Sequence, residues 1–348
     1  MKSRGRAILV VLLTTAIMVA LLAWSFHGVD FGKAIEAFRN ARWGLFPVAI
    51  LIQLAVFPVK AYRWRVILGE RHRVPLFSLL AAIMIGFMAN SIFSRLGELV
   101  RAAVLGARRQ TATATAFASI ALERVFDVLI VLLFLGAALV WLDPAADGET
   151  GRGLAQVRVA GLTVGALFVV VTVFLVLLRL RPAGTTRFVL FFAGWLPSRV
   201  RPHIQRFLHT FLEGLNALKS VRQVVWVLIL SLAHWGIQVL YFYTIGACFP
   251  DLPLVIPGAM LVFAVSALGV GAIPTPGYIG IYQSAIIVAA GIIGMPDHLN
   301  EVVFNYAWLS WAGSIPPIIL AGFAFLWIEG LKMSQLRAEA AEAEEELA

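Results

Sequence analysis

Long apolar runs, separated by short polar and basic segments, make up most of this chain. A run of about 20 apolar residues is long enough to cross the roughly 30 Å hydrocarbon core of a bilayer as a helix. We therefore predict an all-α polytopic membrane protein with six full spans. These spans cover 7–26, 44–62, 111–141, 157–179, 222–248 and 303–328.

Two further apolar segments do not fit a simple crossing. The segment 76–94 is basic on both sides, whereas 253–294 has no Lys or Arg at either end and is interrupted by Pro274-Thr-Pro-Gly277. A full crossing would place the ends of each segment on opposite sides of the membrane. We predict two re-entrant hairpins, which are tolerated where they are buried in protein or line a cavity.

The order of these elements predicts an inverted repeat inside one membrane domain, 1–335. Two spans, a hairpin and a span occur over 7–142 and again over 157–328, and the first hairpin opens inward while the second opens outward. Transporters with this organisation bind substrate near the midplane, where the broken elements of the two halves meet.

Two polar segments lie outside this repeat pattern. Apolar residues at helical spacing within 200–219 predict an amphipathic helix, either on the cytoplasmic membrane surface or packed against the protein's own cytoplasmic side. The acidic tail 336–348 is predicted to be solvated and cytoplasmic.

Composition and charge exclude an ordinary soluble protein, because 61% of the residues are hydrophobic and only 14% are charged. The net charge of +9 does not indicate nucleic-acid binding, since the basic residues cluster at the ends of apolar runs. With membrane-embedded Arg124 left out, the topology puts 22 Lys and Arg in the cytoplasm, including those from Lys60 to Arg73, and five outside. This asymmetry predicts a plasma (inner) membrane protein with both termini in the cytoplasm.

The first charged motif follows the apolar segment of hairpin one. Arg95, Glu98 and Arg101 are three residues apart and share one helical face, with two guanidiniums flanking one carboxylate. Charge near membrane depth is expensive and therefore indicates function, although the three residues could simply close the hairpin with salt bridges. Arginine suits bidentate phosphate binding, and Glu98 could hold the guanidiniums without ligand or titrate with proton transport.

The second charged motif lies inside the span 111–141. Glu123 and Asp127 are four residues apart and share a face, with Arg124 beside them. Pairing with the arginines of hairpin one would explain three ionisable groups within a span. Structural pairing and substrate contact both remain open for these residues.

The third motif is the break in hairpin two. Pro274, Pro276, Gly277 and Gly280 permit the backbone to reverse inside the membrane, although a simple proline kink is the alternative. A helix predicted to begin near Tyr278 and to include Gln283 would present unpaired N–H groups to an anion such as phosphate.

Other sequence features exclude several kinds of site. There is no G-x-x-x-x-G-K-[ST], H-E-x-x-H or G-x-S-x-G motif, and the single cysteine, Cys248, cannot form an internal disulfide. We therefore expect no cofactor and no metal.

His234, Trp235 and Gln238 lie within a span, where polar groups usually make interhelical hydrogen bonds.

The three motifs together resemble a known family. Arg95-Leu-Gly-Glu-Leu-Val-Arg101, Leu122-Glu-Arg-Val-Phe-Asp127 and Pro274-Thr-Pro-Gly-Tyr-Ile-Gly280 have the order and spacing of the lysylphosphatidylglycerol synthase transmembrane-region family, the flippase-like or UPF0104 group. The resemblance, over roughly 10–330, implies the part that moves aminoacylated phosphatidylglycerol across the bilayer in bifunctional members, without the soluble aminoacyl-transferase domain. Many members have Glu where this chain has Gln283, so a mechanism that needs this carboxylate is not carried over.

These observations predict a lipid flippase or related transporter that moves a phosphate-containing phospholipid or glycolipid between leaflets. The phosphate would contact Arg95, Arg101 and Arg124, with the turn from Gly277 to Gly280 opposite, and the hairpins would open in turn. One alternative is a membrane enzyme that modifies lipid head groups, with a carboxylate of the charged motifs as acid or base. Another is a non-catalytic partner of lipid or envelope biosynthesis enzymes.

Overall fold

A computed structural model describes residues 2–69, 74–93, 97–107, 113–142, 220–273 and 275–331, with short runs and single residues between 159 and 191. Within these residues the protein is helical and contains no strand. Most of the predicted span 157–179, the amphipathic helix 200–219 and the tail 336–348 lie outside the described residues, as do Arg95 and Pro274.

The first half contains six helices. Helix α1 (Lys2–Phe26) bends by 82° into the short helix α2 (Phe31–Arg39), whose N-terminus is capped by the Asp30 carboxylate. The remaining helices are α3 (Leu45–Leu68), α4 (Leu76–Phe93), α5 (Gly97–Ala107) and α6 (Thr113–Trp141). Helices α4 and α5 pack together as a helical hairpin, where hairpin one was predicted.

The described part of the second half follows the same order. Its helices are α7 (Val221–Gly246), α8 (Ile256–Ala272), α9 (Ile281–Ile293) and α10 (Asn300–Ile328). Helices α8 and α9 pack as the second hairpin, and the turn between them includes a 3₁₀ segment, Pro276–Tyr278.

The apolar helices confirm an all-α polytopic membrane protein. Among the described residues, five helical stretches are long and apolar enough to cross a membrane, and the bent pair α1 and α2 would make a sixth. The five are Leu45–Leu68, Thr115–Trp141, Arg222–Gly246, Pro276–Ile293 and Asp297–Ile328. The entry of each hairpin from one side of the membrane stays a prediction.

Helices of the two halves pack on one another reciprocally. Helix α3 packs on α7, which has the same place in the second half, while α4 packs on α10 and α8 packs on α6. Within the halves, α5 packs on α6 as α9 packs on α10. Two repeats related by a two-fold axis would pack in this way, which is consistent with the predicted repeat of 7–142 and 157–328.

Among the described residues, three hydrogen bonds connect the region around α2 with the second half, the longest from the Asp30 backbone N–H to Glu301 Oε1 at 3.4 Å. The Arg42 backbone N–H donates to the Cys248 carbonyl oxygen at 2.7 Å, and the Asn305 side chain donates to the Ala34 carbonyl oxygen at 2.7 Å. Cys248 is fully buried after the end of α7, and burial raises the pKa of its thiol.

Two glycines allow the close approach of α4 and α5. A Cβ atom on Gly97 would overlap the Gly86 carbonyl oxygen, and a Cβ atom on Gly86 would lie 2.7 Å from the Gly97 carbonyl oxygen. The Gly97 N–H also donates to Asn90 Oδ1 at 2.7 Å. This contact positions α5 so that Glu98 and Arg101 contact α6.

Candidate functional site

A buried carboxylate, Glu123 on α6, lies at the centre of a cluster of charged side chains. Its side chain is fully buried and contacts the Lys60 ammonium and the guanidiniums of Arg63 at 3.1 Å and Arg101 at 3.0 Å. These cations come from α3 and α5, so Glu123 joins three helices. We use the term charge cluster for Lys60, Arg63, Glu98, Arg101, Glu123, Arg124 and Asp127.

Asp127, one helical turn after Glu123, joins the cluster to α7. Its Oδ1 accepts hydrogen bonds from Arg63 at 2.7 Å and from the Trp235 indole N–H at 2.9 Å. Arg63 also donates to the Ser231 hydroxyl at 2.9 Å. The cluster therefore includes groups from both halves of the chain.

Arg101 has a second, aromatic contact inside the cluster. Its guanidinium carbon lies 4.2 Å from the centre of the Trp64 ring, a distance typical of cation–π contacts. The Trp64 indole N–H donates to Ser119 Oγ at 2.8 Å, which fixes the ring between α3 and α6. Arg101 is only 1% exposed and is held by protein groups on both sides.

Arg124 and Glu98 form the accessible edge of the cluster. Arg124 Nε lies 3.2 Å from Glu98 Oε1, and the two side chains are 42% and 34% exposed. Arg124 also lies 3.6 Å from Asp127 Oδ2. This outer pair can exchange partners with a ligand without breaking the buried contacts of Glu123.

The charges of the cluster do not balance. Among the described residues, it contains four cations and three carboxylates, which leaves one net positive charge when all are ionised. An uncompensated buried charge costs several kcal/mol in principle, so burial favours an anion beside it. In the described part of the chain, the charge cluster included, no group of three or more His, Cys, Asp or Glu side chains could hold a metal ion.

A cavity of about 430 Å³ opens beside the charge cluster between the two halves. Its walls come from α3, α4, α5 and α6 of the first half and from α7 to α10 of the second. The polar side chains that line it are Gln53, Lys60, Asn90, Ser91, Glu98, Arg124, His234, Gln238, Ser266, Tyr278, Tyr282 and Ser314. Ligand sites of this kind typically have volumes of roughly 300–1,000 Å³.

The predicted site residues lie partly in the cavity wall and partly in the buried interior of the charge cluster. Glu98, Arg124 and Tyr278 line the cavity, whereas Arg101, Glu123 and Asp127 are buried in the charge cluster. Two arrangements were predicted for the first charged motif, and the described residues show pairing with the second motif: Arg101 pairs with Glu123 of α6, and Glu98 pairs with Arg124 of α6.

The turn of hairpin two differs from the prediction. Gly277, Tyr278 and Gly280 all have positive φ angles, so α9 begins at Ile281 and not near Tyr278. Gln283 Oε1 accepts the Gly280 N–H at 2.8 Å and so occupies this helix start. Pro276, Gly277, Gly280 and Gln283 do not line the cavity, although Tyr278 does.

The structure corrects the sequence interpretation of Lys60 and Arg63. They were assigned to a cytoplasmic basic group, but α3 continues to Leu68 and both side chains are at most 1% exposed. The buried face of α3 contains Gln53, Phe57, Lys60 and Trp64, which are separated by three or four residues. This helical spacing was the available signal that Lys60 faces inward.

The polar residues of α7 were considered only as interhelical contacts. Trp235 and Gln238 do make such bonds, to Asp127 and to Gln53. Both residues, together with His234, also line the cavity.

Comparison with known proteins identifies relatives of this chain. The glycosyltransferase AglD of Haloferax volcanii is 34% identical over 158 residues, which are 45% of this chain and 24% of that protein. The UPF0104 membrane protein of Methanothermobacter thermautotrophicus is 23% identical over 331 residues, with 86% of this chain and 89% of that protein covered. No solved structure matches the chain.

The model of one protein family, the lysylphosphatidylglycerol synthase TM region, matches residues 8–299. This range includes the charge cluster, the cavity-lining residues of α3 to α9 and both hairpins. The chain therefore belongs to the lysylphosphatidylglycerol synthase TM region family.

Proposed function

We propose that the protein moves a lipid with a phosphodiester head group between membrane leaflets, and that the phosphate binds in the cavity at Arg124 and Lys60. The observation that carries this proposal is the single net positive charge of the cluster, which borders the cavity at these two side chains. A lipid phosphodiester has one negative charge and would balance it. Arg101, although predicted as a phosphate contact, is buried behind Glu123.

Glu98 acts in this proposal as the counter-ion of the empty site. It holds Arg124 at 3.2 Å when no lipid is bound. A phosphate can replace it because the arginine fork binds phosphate oxygens in a bidentate manner. Release of Glu98 then frees the start of α5, which is the second arm of hairpin one.

The two hairpins supply a route for alternating access. Helix α4 of hairpin one, and α8 with Tyr278 of hairpin two, form facing walls of the cavity. Displacement of one hairpin opens the cavity to one leaflet, and displacement of the other opens it to the opposite leaflet. The buried pairs of Glu123 and Asp127 keep α3, α6 and α7 together during both movements.

Arg124→Gln is expected to reduce lipid movement at least tenfold in proteoliposomes. The loss corresponds to a charge-assisted hydrogen bond, worth roughly 1.5–3 kcal/mol. Purified protein would be reconstituted with head-group-labelled phospholipid, and leaflet exchange would be followed with an impermeant quencher. Arg222→Gln is the matched control, since Arg222 is exposed at the start of α7 and outside the cavity. Equal exchange by wild type and Arg124→Gln would refute the proposed site.

A membrane enzyme that transfers a group to a lipid is the second candidate. Glu98 is the carboxylate that lines the cavity, and one relative is named a glycosyltransferase. In this case Glu98 would act as general base towards a lipid hydroxyl. Product formed by the purified protein from a lipid acceptor and an activated sugar donor, and lost in Glu98→Gln, would favour the enzyme. If both assays are negative, a non-catalytic membrane partner becomes the favoured function.

A further inference from the structure

The cavity has a second, uncharged end. Its lining follows α3 from Lys60 to Gln53 and α7 from His234 to Phe242. At 1.5 Å per residue, these stretches extend for about 10 Å along the helices. The end next to Lys60 contains the charge cluster, whereas the far end contains amides, hydroxyls and aromatic rings. A ligand that fills the cavity would therefore meet two different chemical environments.

Apart from Arg124 Nε, which lies beside Glu98, two buried polar atoms in the cavity wall have no hydrogen-bond partner among the described residues. These atoms are Ser266 Oγ on α8 and His234 Nδ1 on α7, and both side chains are 3% exposed. A helical serine often donates to the carbonyl four residues earlier, but Ser266 does not. An unpaired buried polar group is unfavourable because its hydrogen bonds to water are lost, so these atoms favour a ligand that supplies hydrogen bonds.

Two amides add to this hydrogen-bonding surface. Gln238 Nε2 donates to Gln53 Oε1 at 2.9 Å, so the amides are held in a defined arrangement across α3 and α7. Each amide can donate two hydrogen bonds and accept two, and this contact uses only part of that capacity. The remaining groups can both donate to and accept from hydroxyl groups of a ligand.

Aromatic rings form the other walls. The Phe242 and Tyr282 rings, which lie away from the cluster, are stacked at 6.2 Å. The Trp235 and Phe263 rings, with centroids 5.0 Å apart, lie closer to the charge cluster, where Trp235 donates to Asp127. The faces of aromatic rings are partly negative and attract C–H groups that carry partial positive charge. Neutral amides and hydroxyls between aromatic faces suit a ring that has polar edges and C–H faces.

The charge distribution opposes a cationic head group at this end. Among the described residues of the cavity wall, Glu98 is the sole carboxylate, and it pairs with Arg124 at the other end. An ammonium group at this end would find no carboxylate as counter-ion and would lie near a cluster with net positive charge. A neutral polyol has no such penalty.

We propose that the uncharged end binds a neutral, hydroxyl-rich ring, a sugar or cyclitol linked to the phosphodiester of the lipid, through Gln53 and Gln238, and that Ser266 of the same cavity wall supplies a further hydrogen bond. This inference rests on the proposed transport function, because the phosphate at Arg124 places the ring. The cavity volume of about 430 Å³ suits a single ring and not an extended oligosaccharide.

The test compares two lipids that share the phosphodiester and differ in head group. Phosphatidylinositol and phosphatidylcholine with the same labelled acyl chains would be followed in the same proteoliposomes. Wild type is expected to exchange the inositol lipid several-fold faster, and Ser266→Ala and Gln238→Leu are each expected to lower this ratio about threefold to tenfold, as for one lost hydrogen bond. Ser284→Ala should keep the ratio, since this α9 serine donates to Leu21 and lies outside the cavity.

The outcomes separate this inference from the proposed function. Equal exchange of both lipids that is still abolished by Arg124→Gln would overturn the ring site and leave the phosphate site intact. Faster exchange of the choline lipid would also overturn it, and would indicate that the aromatic rings bind an ammonium group. A preference for inositol that Ser266→Ala and Gln238→Leu leave unchanged would overturn the ring site, because the net negative charge of the inositol lipid would then account for it. No exchange of either lipid by folded wild-type protein would overturn both proposals.

Discussion

Replacement of Glu123 with glutamine is expected to prevent accumulation of folded protein. Glu123 is fully buried and is the shared partner of Lys60, Arg63 and Arg101. Removal of one partner from a buried ion pair costs roughly 3–5 kcal/mol, since it leaves an uncompensated charge. Total stabilities of about 5–15 kcal/mol leave little margin for such a loss. The yield of monodisperse detergent-solubilised protein and its thermal midpoint would measure the effect.

A surface carboxylate provides the control for this experiment. Glu36→Gln removes the same charge from an exposed position on α2 and should leave the yield and the midpoint unchanged. A second variant, Arg124→Gln, should also fold, because Arg124 is 42% exposed. A midpoint for Glu123→Gln within a degree of wild type would show that the buried pairs do not stabilise the protein.

Gly97→Ala is expected to destabilise hairpin one and to abolish transport. A Cβ atom at this position would overlap the Gly86 carbonyl oxygen, which is backbone and cannot rotate away. Steric overlap in a packed core typically costs about 1–3 kcal/mol and sometimes more. Separation of α4 from α5 would also withdraw Arg101 from Glu123, so the two losses add. Thermal unfolding and the proteoliposome assay would measure both consequences.

Gly236→Ala is the matched control for the hairpin variant. Gly236 lies inside α7, and a Cβ atom there would meet no other atom within 4 Å. Alanine in a helix is favoured over glycine, and the substitution typically stabilises by about 0.4–1 kcal/mol. If Gly97→Ala shifted the thermal midpoint in the same direction as Gly236→Ala, the close contact of α4 and α5 would be refuted.

The sequence predicted the helical elements well because hydrophobic length and breaks determine them directly. Helix α4 ends at Phe93, where the apolar segment was predicted to end, and the Pro-Gly turn near Gly277 lies between α8 and α9. Span ends were less accurate, and α3 extends six residues beyond the predicted 62. A helix that continues with charged residues cannot be distinguished by hydrophobicity from one that ends at the head groups.

The charged site was only partly predictable. The sequence predicted that the carboxylates of α6 could pair with the arginines of hairpin one, as Glu123 does with Arg101, but not that Lys60 and Arg63 of α3 join them. Arg63 comes from a helix 60 residues before Glu123 in the chain, and no sequence pattern records that contact. The pairing depends on how α3, α5 and α6 pack, which hydropathy does not specify.

The cavity itself was beyond sequence reasoning for a related reason. Gln53, Gln238 and Ser266 are single polar residues in apolar helices, where each normally serves a local hydrogen bond. Their common position follows from the packing of α3 on α7 and α8. The shared helical face of Gln53 and Lys60 was a usable signal, but only with the end of α3 placed correctly.

The reciprocal packing of the hairpins has a consequence for biosynthesis. Helix α4 packs on α10, which begins about 200 residues later in the chain. At roughly 5–20 residues per second, the ribosome begins this partner about 10–40 s after it completes α4. We expect the first half expressed alone to be degraded and to accumulate when the second half is co-expressed, as measured by steady-state membrane levels. Equal membrane levels of the first half with and without the second half would show that α4 does not need α10 for stability.

The charged side chains of the first half can form their ion pairs before α10 is synthesised. Lys60, Arg63 and Arg101 find Glu123 and Asp127 as soon as α6 is made, so the nascent chain can neutralise most of its buried charge before α7 exists. The apolar face of α4, by contrast, must remain in contact with lipid until the last span arrives. During synthesis we therefore expect an intermediate in which most of the buried charges are paired but α4 still lacks the helix on which it packs. Membrane quality control would act on the chain at this stage.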